Sequence, residues 1–160
     1  MHIRPATRDD ASAIWAIIGP TIRAGETYTI EPGIAEEAGI ERWLGRDRET
    51  FVALDGDQVV GTYYLRPNQQ GGGSHVANCG YMTLQAAGGR GIARLMCEHS
   101  MVAARRQGFR AMQFNFVVST NERAVALWRS LGFDIVGRLP GAFRHPALGY
   151  VDAFVMFRNL

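Results

Sequence analysis

Residues 85–93 read Gln85-Ala86-Ala87-Gly88-Gly89-Arg90-Gly91-Ile92-Ala93. A strand-like run, Val76 to Leu84, comes before them. A helical pattern follows, with Ile92, Leu95, Met96, His99, Val102 and Ala103 on one face. Arg105 and Arg106 near its end and Gly108 just beyond are helix-stop signals. The stretch is therefore a glycine-rich turn from a strand into a helix. The first turn of a helix carries unpaired N–H groups and partial positive charge, and glycines let the backbone come close to an anion. Such a turn is a ready phosphate site, with Arg90 and Arg94 placed to assist. Two nucleotide motifs fail here. A Walker loop requires Lys and then Ser or Thr after its last glycine, where Ile92 and Ala93 stand. A dinucleotide fingerprint requires a small residue at Arg94.

Outward from the turn, Met1–Pro5 predicts a strand and Asp9 or Asp10 the cap of a helix over Ile14, Trp15, Ile17 and Ile18. Gly19-Pro20 is expected to break or kink that helix. Glu36 to Leu44 predicts a second helix. Thr50–Leu54 and Gln58–Leu65 predict a hairpin about Asp55-Gly56-Asp57. Asn68 to Ser74 reads as a loop. Met112, Phe114, Phe116 and Val118 alternate with Gln113, Asn115 and Val117, as in a strand. Asn121 to Leu131 predicts a helix stopped by Gly132. Phe133–Val136 and Tyr150–Phe157 predict the last strands, with Arg138 to Gly149 as a long loop between them. Hairpins and strand–helix–strand units in this order predict an α/β fold, a mixed sheet with helices on both faces.

Composition narrows the class. The chain has 160 residues, 47% apolar and 20% charged, with net charge +2. That suits one domain over 1–160 with a real core. The balanced charge argues against a nucleic-acid partner, and the lack of a long apolar run argues against a membrane. Met1 to Asp10 does not look like a secretory signal. The two cysteines, Cys79 and Cys97, form no disulfide framework or metal pattern. A reduced, cytoplasmic protein without a metal is expected.

Gly88-Gly89-Arg90-Gly91-Ile92-Ala93 and its helix resemble motif A of the GNAT N-acetyltransferases. Asn121-Glu122-Arg123-Ala124-Val125-Ala126-Leu127-Trp128-Arg129-Ser130-Leu131-Gly132-Phe133 resembles motif B. The resemblance covers nearly the whole chain. It implies the GNAT fold and attack of an amine on the thioester of acetyl-CoA. It also implies a coenzyme site of Met82, Thr83, Leu84, Gly88, Gly89, Arg90, Gly91, Ile92, Ala93, Arg94, Asn121 and Trp128. An N–H from Met82 to Leu84 would serve as oxyanion donor. There are two departures. Gly88 stands where the family usually has Arg or Gln, and Trp128 where it often has the Tyr that protonates the leaving thiolate. A thiol of pKa about 8.5 leaves without such an acid.

The amine must lose a proton, and Glu26, His75, His145 and Asp152 are the candidate bases. His99 reads as a satisfied core residue. Asn115, between two phenylalanines, is expected to be buried, and Asn78 begins the preceding parallel strand. The segment Phe114 to Asn121, with Trp128 and Asn78, is similar to the yeast proline-analogue N-acetyltransferases. That resemblance implies that Asn78 and Asn115 position a small amino or imino acid, such as azetidine-2-carboxylate, beside Thr27 and Tyr28. Another amine, a glufosinate-like amino acid, a protein N-terminus or a non-catalytic coenzyme-binding module are the alternatives. A homodimer is expected to use Trp43, Phe143 and Phe154, read as exposed.

Overall fold

A computed structural model describes residues 1–160. In chain order it contains β1 (His2–Pro5), α1 (Ala11–Ala24), α2 (Glu36–Trp43), β2 (Glu49–Asp55), β3 (Gln58–Pro67), β4 (Val76–Thr83), α3 (Ile92–Arg106), β5 (Ala111–Val118), α4 (Glu122–Ser130), β6 (Asp134–His145) and β7 (Gly149–Asn159). The strands form one sheet in the order β1-β2-β3-β4-β5-β7-β6. Only β4 and β5 run parallel, because helix α3 carries the chain back between them; every other neighbouring pair is antiparallel.

The period-2 pattern of β2 divides the core. Val52 and Leu54 pack with Ile14, Ile17, Ile18 and Ile22 of α1 and Trp43 of α2. Phe51 and Ala53 pack with Met96, Cys97 and Met101 of α3 and Trp128 of α4. Helices thus cover both faces of the mixed sheet. No helix is long and apolar enough to cross a membrane.

Four local expectations are corrected. Helix α1 is not broken at Gly19-Pro20, continuing to Ala24. Proline inside a helix costs ~3 kcal/mol. The buried isoleucines on both sides of it, at ~1.5–3 kcal/mol each, outweigh that. Arg138 to Gly149 is mostly strand, since β6 extends to His145. As an edge strand β6 is largely exposed, so it lacks an apolar alternation, and it tolerates Pro140 at a register shift. Trp43 and Phe143 are buried and Phe154 is partly buried, so none is an open partner face. Trp43 instead donates its indole N–H to Thr62 Oγ1 at 3.0 Å. Asn115 is exposed. Between Phe114 and Val117 the β5–β7 register slips by one residue, and this bulge reverses the alternation.

The start of α1 is held differently from the simple cap expected. A short 3-10 turn, Arg8–Asp10, leads into the helix. The Asp10 carboxylate reaches back to accept the Thr7 backbone N–H at 2.7 Å. It also accepts both terminal nitrogens of Arg4, at 2.8 and 2.7 Å. The Arg4 hydrogen bonds pull the Asp10 carboxyl down to about 2, from an ordinary 3.8. Asp10→Asn is expected to lower the unfolding free energy at pH 7 by about 1–2 kcal/mol, the half-exposed Arg4 screening the rest. The carboxylate's contribution is complete above pH 3.8 and disappears as pH falls through about 2. Urea unfolding of the two proteins should therefore converge near pH 2.

Candidate functional site

Strands β4 and β5 are paired only at Val76↔Ala111 and Ala77↔Met112, and then part. The next residue bridges the gap where they part. The Asn78 side-chain amide donates to the Gln113 carbonyl at 3.0 Å. In a regular parallel ladder that carbonyl would take the Cys79 backbone N–H. With the carbonyl occupied, the ladder stops and a cleft opens. Asn78 is only 5% exposed, and its side-chain oxygen accepts no hydrogen bond within the chain.

The free edge of β4 can be read from its other side. Asn68 N donates to Val76 O at 2.7 Å and Leu84 N to Val60 O at 2.9 Å. The register between these points is continuous. Even-numbered residues of β4 therefore spend their backbone groups on β3. Cys79, Tyr81 and Thr83 turn theirs toward the gap. This corrects the expected oxyanion donors: Leu84 and Met82 are committed to β3, and only Thr83 of the three faces the gap. The Tyr28 hydroxyl holds the Tyr81 groups, accepting its N–H at 2.9 Å and donating to its carbonyl at 2.7 Å.

The cleft has a volume of about 360 Å³. The segment between α1 and α2 brings Thr27 and Tyr28 to it, β4 brings Asn78 and Cys79, β5 brings Asn115, and the start of α4 brings Asn121 and Trp128. Six residues that the sequence singled out thus meet in one place. The amide of Asn115 donates to Asn68 Oδ1 at 2.7 Å and its oxygen accepts from Gln113 at 2.9 Å. Asn121 caps α4, its oxygen accepting from Ala124 N at 3.3 Å. The Trp128 ring packs 5.1 Å from both Tyr81 and Phe114 and forms a wall.

Other residues of the cleft were missed by the sequence reading: Arg42, Arg48, Tyr64, Arg66 and Cys79. The Tyr64 ring lies across Gly80, where any Cβ would come within 2.6 Å of it, so this floor requires glycine. The Arg48 guanidinium stacks 4.7 Å from the Tyr64 ring centre. The two neighbouring tyrosines of β3 were a usable aromatic signal, but nothing local revealed that the arginines converge.

None of the four candidate bases lines the cleft. Glu26 and His75 are exposed. His145 Nδ1 accepts the N–H groups of Ala147 and Leu148. Asp152 accepts Gly141 N and pairs with Arg138. His99 also lies outside the cleft, hydrogen-bonded to the Tyr63 hydroxyl at 2.7 Å, as a satisfied residue. The thiol and the phenols that do line the cleft shift away from neutrality. Burial pushes the Cys79 thiol up to about 12, and raises the Tyr28, Tyr64 and Tyr81 hydroxyls above their ordinary value.

The glycine-rich turn leaves the carboxyl end of the same strand. Gly89 and Gly91 have φ of 78° and 77°, a region disfavoured by a Cβ. The N–H groups of Gly89, Arg90, Gly91, Ile92, Ala93 and Arg94 donate to no group of the chain; the first bond into the helix is Leu95 N to Gly91 O at 3.0 Å. That row of free donors at the start of a 15-residue helix fits a pyrophosphate. The arginines are engaged outside it: Arg90 with Asp55 at 2.6 Å and Arg94 with Ser130 at 2.7 Å. No cluster of three or more His, Cys, Asp or Glu side chains is present.

Comparison with known proteins agrees with this geometry. Residues 14–133 match the Acetyltransferase (GNAT) family. A solved structure of a GCN5-related N-acetyltransferase from Kribbella flavida is 43% identical, with 99% of this chain and 97% of that chain covered and a TM-score of 0.94. Ribosomal-protein-alanine N-acetyltransferase from Brucella melitensis is 25% identical with both chains fully covered and a TM-score of 0.88. The N-acetyltransferase aca1 of Schizosaccharomyces pombe is 34% identical over 98 residues, 61% of this chain and 47% of that protein. The chain thus spans about half the length of that curated relative. The match from Ile14 to Phe133, carrying both the parted strands and the glycine turn, places this chain in the acetyltransferase (GNAT) family.

Proposed function

We propose that the chain transfers an acetyl group from acetyl-CoA to the nitrogen of a small amino or imino acid, azetidine-2-carboxylate or another proline analogue being the type of acceptor. Acetyl-CoA is the cosubstrate of the family's reaction and supplies an activated acetyl thioester. The observation that carries the acceptor reading is Asn78. A buried amide with an unused oxygen stands where the strands part, in a cleft sized for a small molecule.

The residues divide the work. The free N–H groups from Gly89 to Arg94 hold the pyrophosphate, with the backbone rather than side chains as the main grip. The gap-facing edge of β4 pairs with the extended arm of the coenzyme as an added strand would. The Cys79 N–H, released from Gln113, donates to the thioester oxygen as negative charge develops on it. The Asn78 oxygen accepts an N–H of the acceptor amine and aims its lone pair. Trp128 closes one wall. It has no acidic proton to offer; the departing thiolate is stable enough to leave into water, and the proton shed by the nitrogen as the C–N bond forms and the C–S bond breaks passes to water.

Free-thiol release with acetyl-CoA tests this reading across azetidine-2-carboxylate, proline, a glufosinate-like amino acid and a peptide beginning with alanine. Turnover is expected on the small acids and not on the peptide. Turnover confined to the peptide would replace this reading with acetylation of a protein's alanine, the Brucella relative being named a ribosomal-protein-alanine N-acetyltransferase.

A further inference from the structure

We propose that Arg66 and Arg48 form a carboxylate subsite that selects acceptors carrying an acid group next to the reacting nitrogen. This rests on the amino- or imino-acid reading above. Arg66 of β3 is the direct cross-strand partner of Asn78. Side chains so paired share one face of the sheet with Cβ atoms ~5 Å apart. In an α-amino acid the nitrogen and the carboxyl carbon are roughly 2.5 Å apart, joined through one carbon. A molecule whose nitrogen meets the Asn78 oxygen therefore presents its carboxylate to Arg66.

The charges around Arg66 are unbalanced in the way such a ligand would correct. Asp47 is one carboxylate shared by two guanidiniums that line the cleft. It accepts Arg48 at 2.8 and 2.9 Å and Arg66 Nη1 at 3.2 Å. Arg42 lines the same cleft. The Arg66 Nε is out of contact with solvent and has no acceptor at all. A buried donor without a partner costs free energy, and the Arg66 side chain, 34% exposed, can turn so that a bound carboxylate recovers it. Arg48 is held rigidly beside it: its side chain is 12% exposed and its guanidinium lies over the Tyr64 ring. Arg66 lies 5.9 Å from the same ring. Two cations fixed against one aromatic floor, with surplus positive charge, form a receptor for a planar anion.

The test compares each acid with its carboxamide, which keeps the nitrogen and removes the charge. Wild type is expected to favour the acid by about 100-fold in kcat/KM. Arg66→Met should lower kcat/KM for the acid by a similar factor, mainly through KM, and change that of the amide by less than about threefold. Arg66→Lys should recover only part of the loss, since a single ammonium does not reproduce the fork. Equal coenzyme affinity and melting temperature in each variant, by calorimetry, would establish that the fold is kept. Equal losses on acid and amide, or a wild type indifferent to the charge, would overturn the subsite while leaving the acceptor class intact. A wild type that binds acetyl-CoA and acetylates neither compound would remove the acceptor reading and the subsite together.

Discussion

Asn78→Ala is expected to lower kcat/KM for the acceptor by about 100- to 1,000-fold while leaving coenzyme affinity within a few-fold. Two losses combine. The variant has no oxygen to orient the attacking nitrogen. It also frees the Gln113 carbonyl, which Asn78 occupies at 3.0 Å. The adjacent Cys79 N–H can then complete the parallel ladder and leave the thioester oxygen without its donor. Removal of one oxyanion donor alone costs about 100- to 1,000-fold. The decrease should fall on kcat more than on KM for acetyl-CoA, because the pyrophosphate grip lies at the other end of β4. Stopped-flow turnover and calorimetric coenzyme binding would separate the two. Asn78→Asp is a useful companion, since it keeps an oxygen but loses the amide donor to Gln113. An alanine variant with near-normal turnover would show that neither role exists.

The second large effect is on pH. The cleft is lined by no carboxylate other than substrate would bring, and by no imidazole. Its thiol and phenols are pushed up by burial and remain protonated through neutrality. No group of the cleft therefore titrates between pH 6 and 9, and the reacting amine, with a pKa near 10, sets the rate through its neutral fraction. The expected profile of log kcat/KM is a straight rise of slope one from pH 6 to 9, close to 1,000-fold in all. Subsaturating acceptor and saturating acetyl-CoA in a constant-ionic-strength buffer would measure it. A plateau beginning near pH 6–7 would mean that a histidine or carboxylate takes the proton, and His75 or Glu26 would return as candidates.

The turn from Gly88 to Ala93 was legible as a glycine turn opening a helix because it depends on local backbone freedom and on the helix that follows. The α/β class and helices on both faces were legible because hydrophobic period and element order are local as well. Edge strand β6 was not: with one side open to water it has little apolar pattern, so Arg138 to Gly149 looked like a loop. The environment of Asn115 was not legible either. A single extra residue in β5 reverses which side chains face inward, and nothing in the alternation of Phe114, Asn115 and Phe116 announces it.

The sequence by itself determined the family, the glycine-rich anchor and the residue types, including Asn78, Asn121 and Trp128, that enter the cleft. The anchor follows from local spacing, and the family and those three residues from resemblance to known acetyltransferases. The tertiary structure alone decided which backbone N–H groups are free, because that depends on strand parity against β3. It also decided that Arg48 and Arg66, 18 positions apart, share one carboxylate and one aromatic ring beside Asn78. Convergence of this kind arises from cross-strand register, a relation between distant segments that no local pattern encodes.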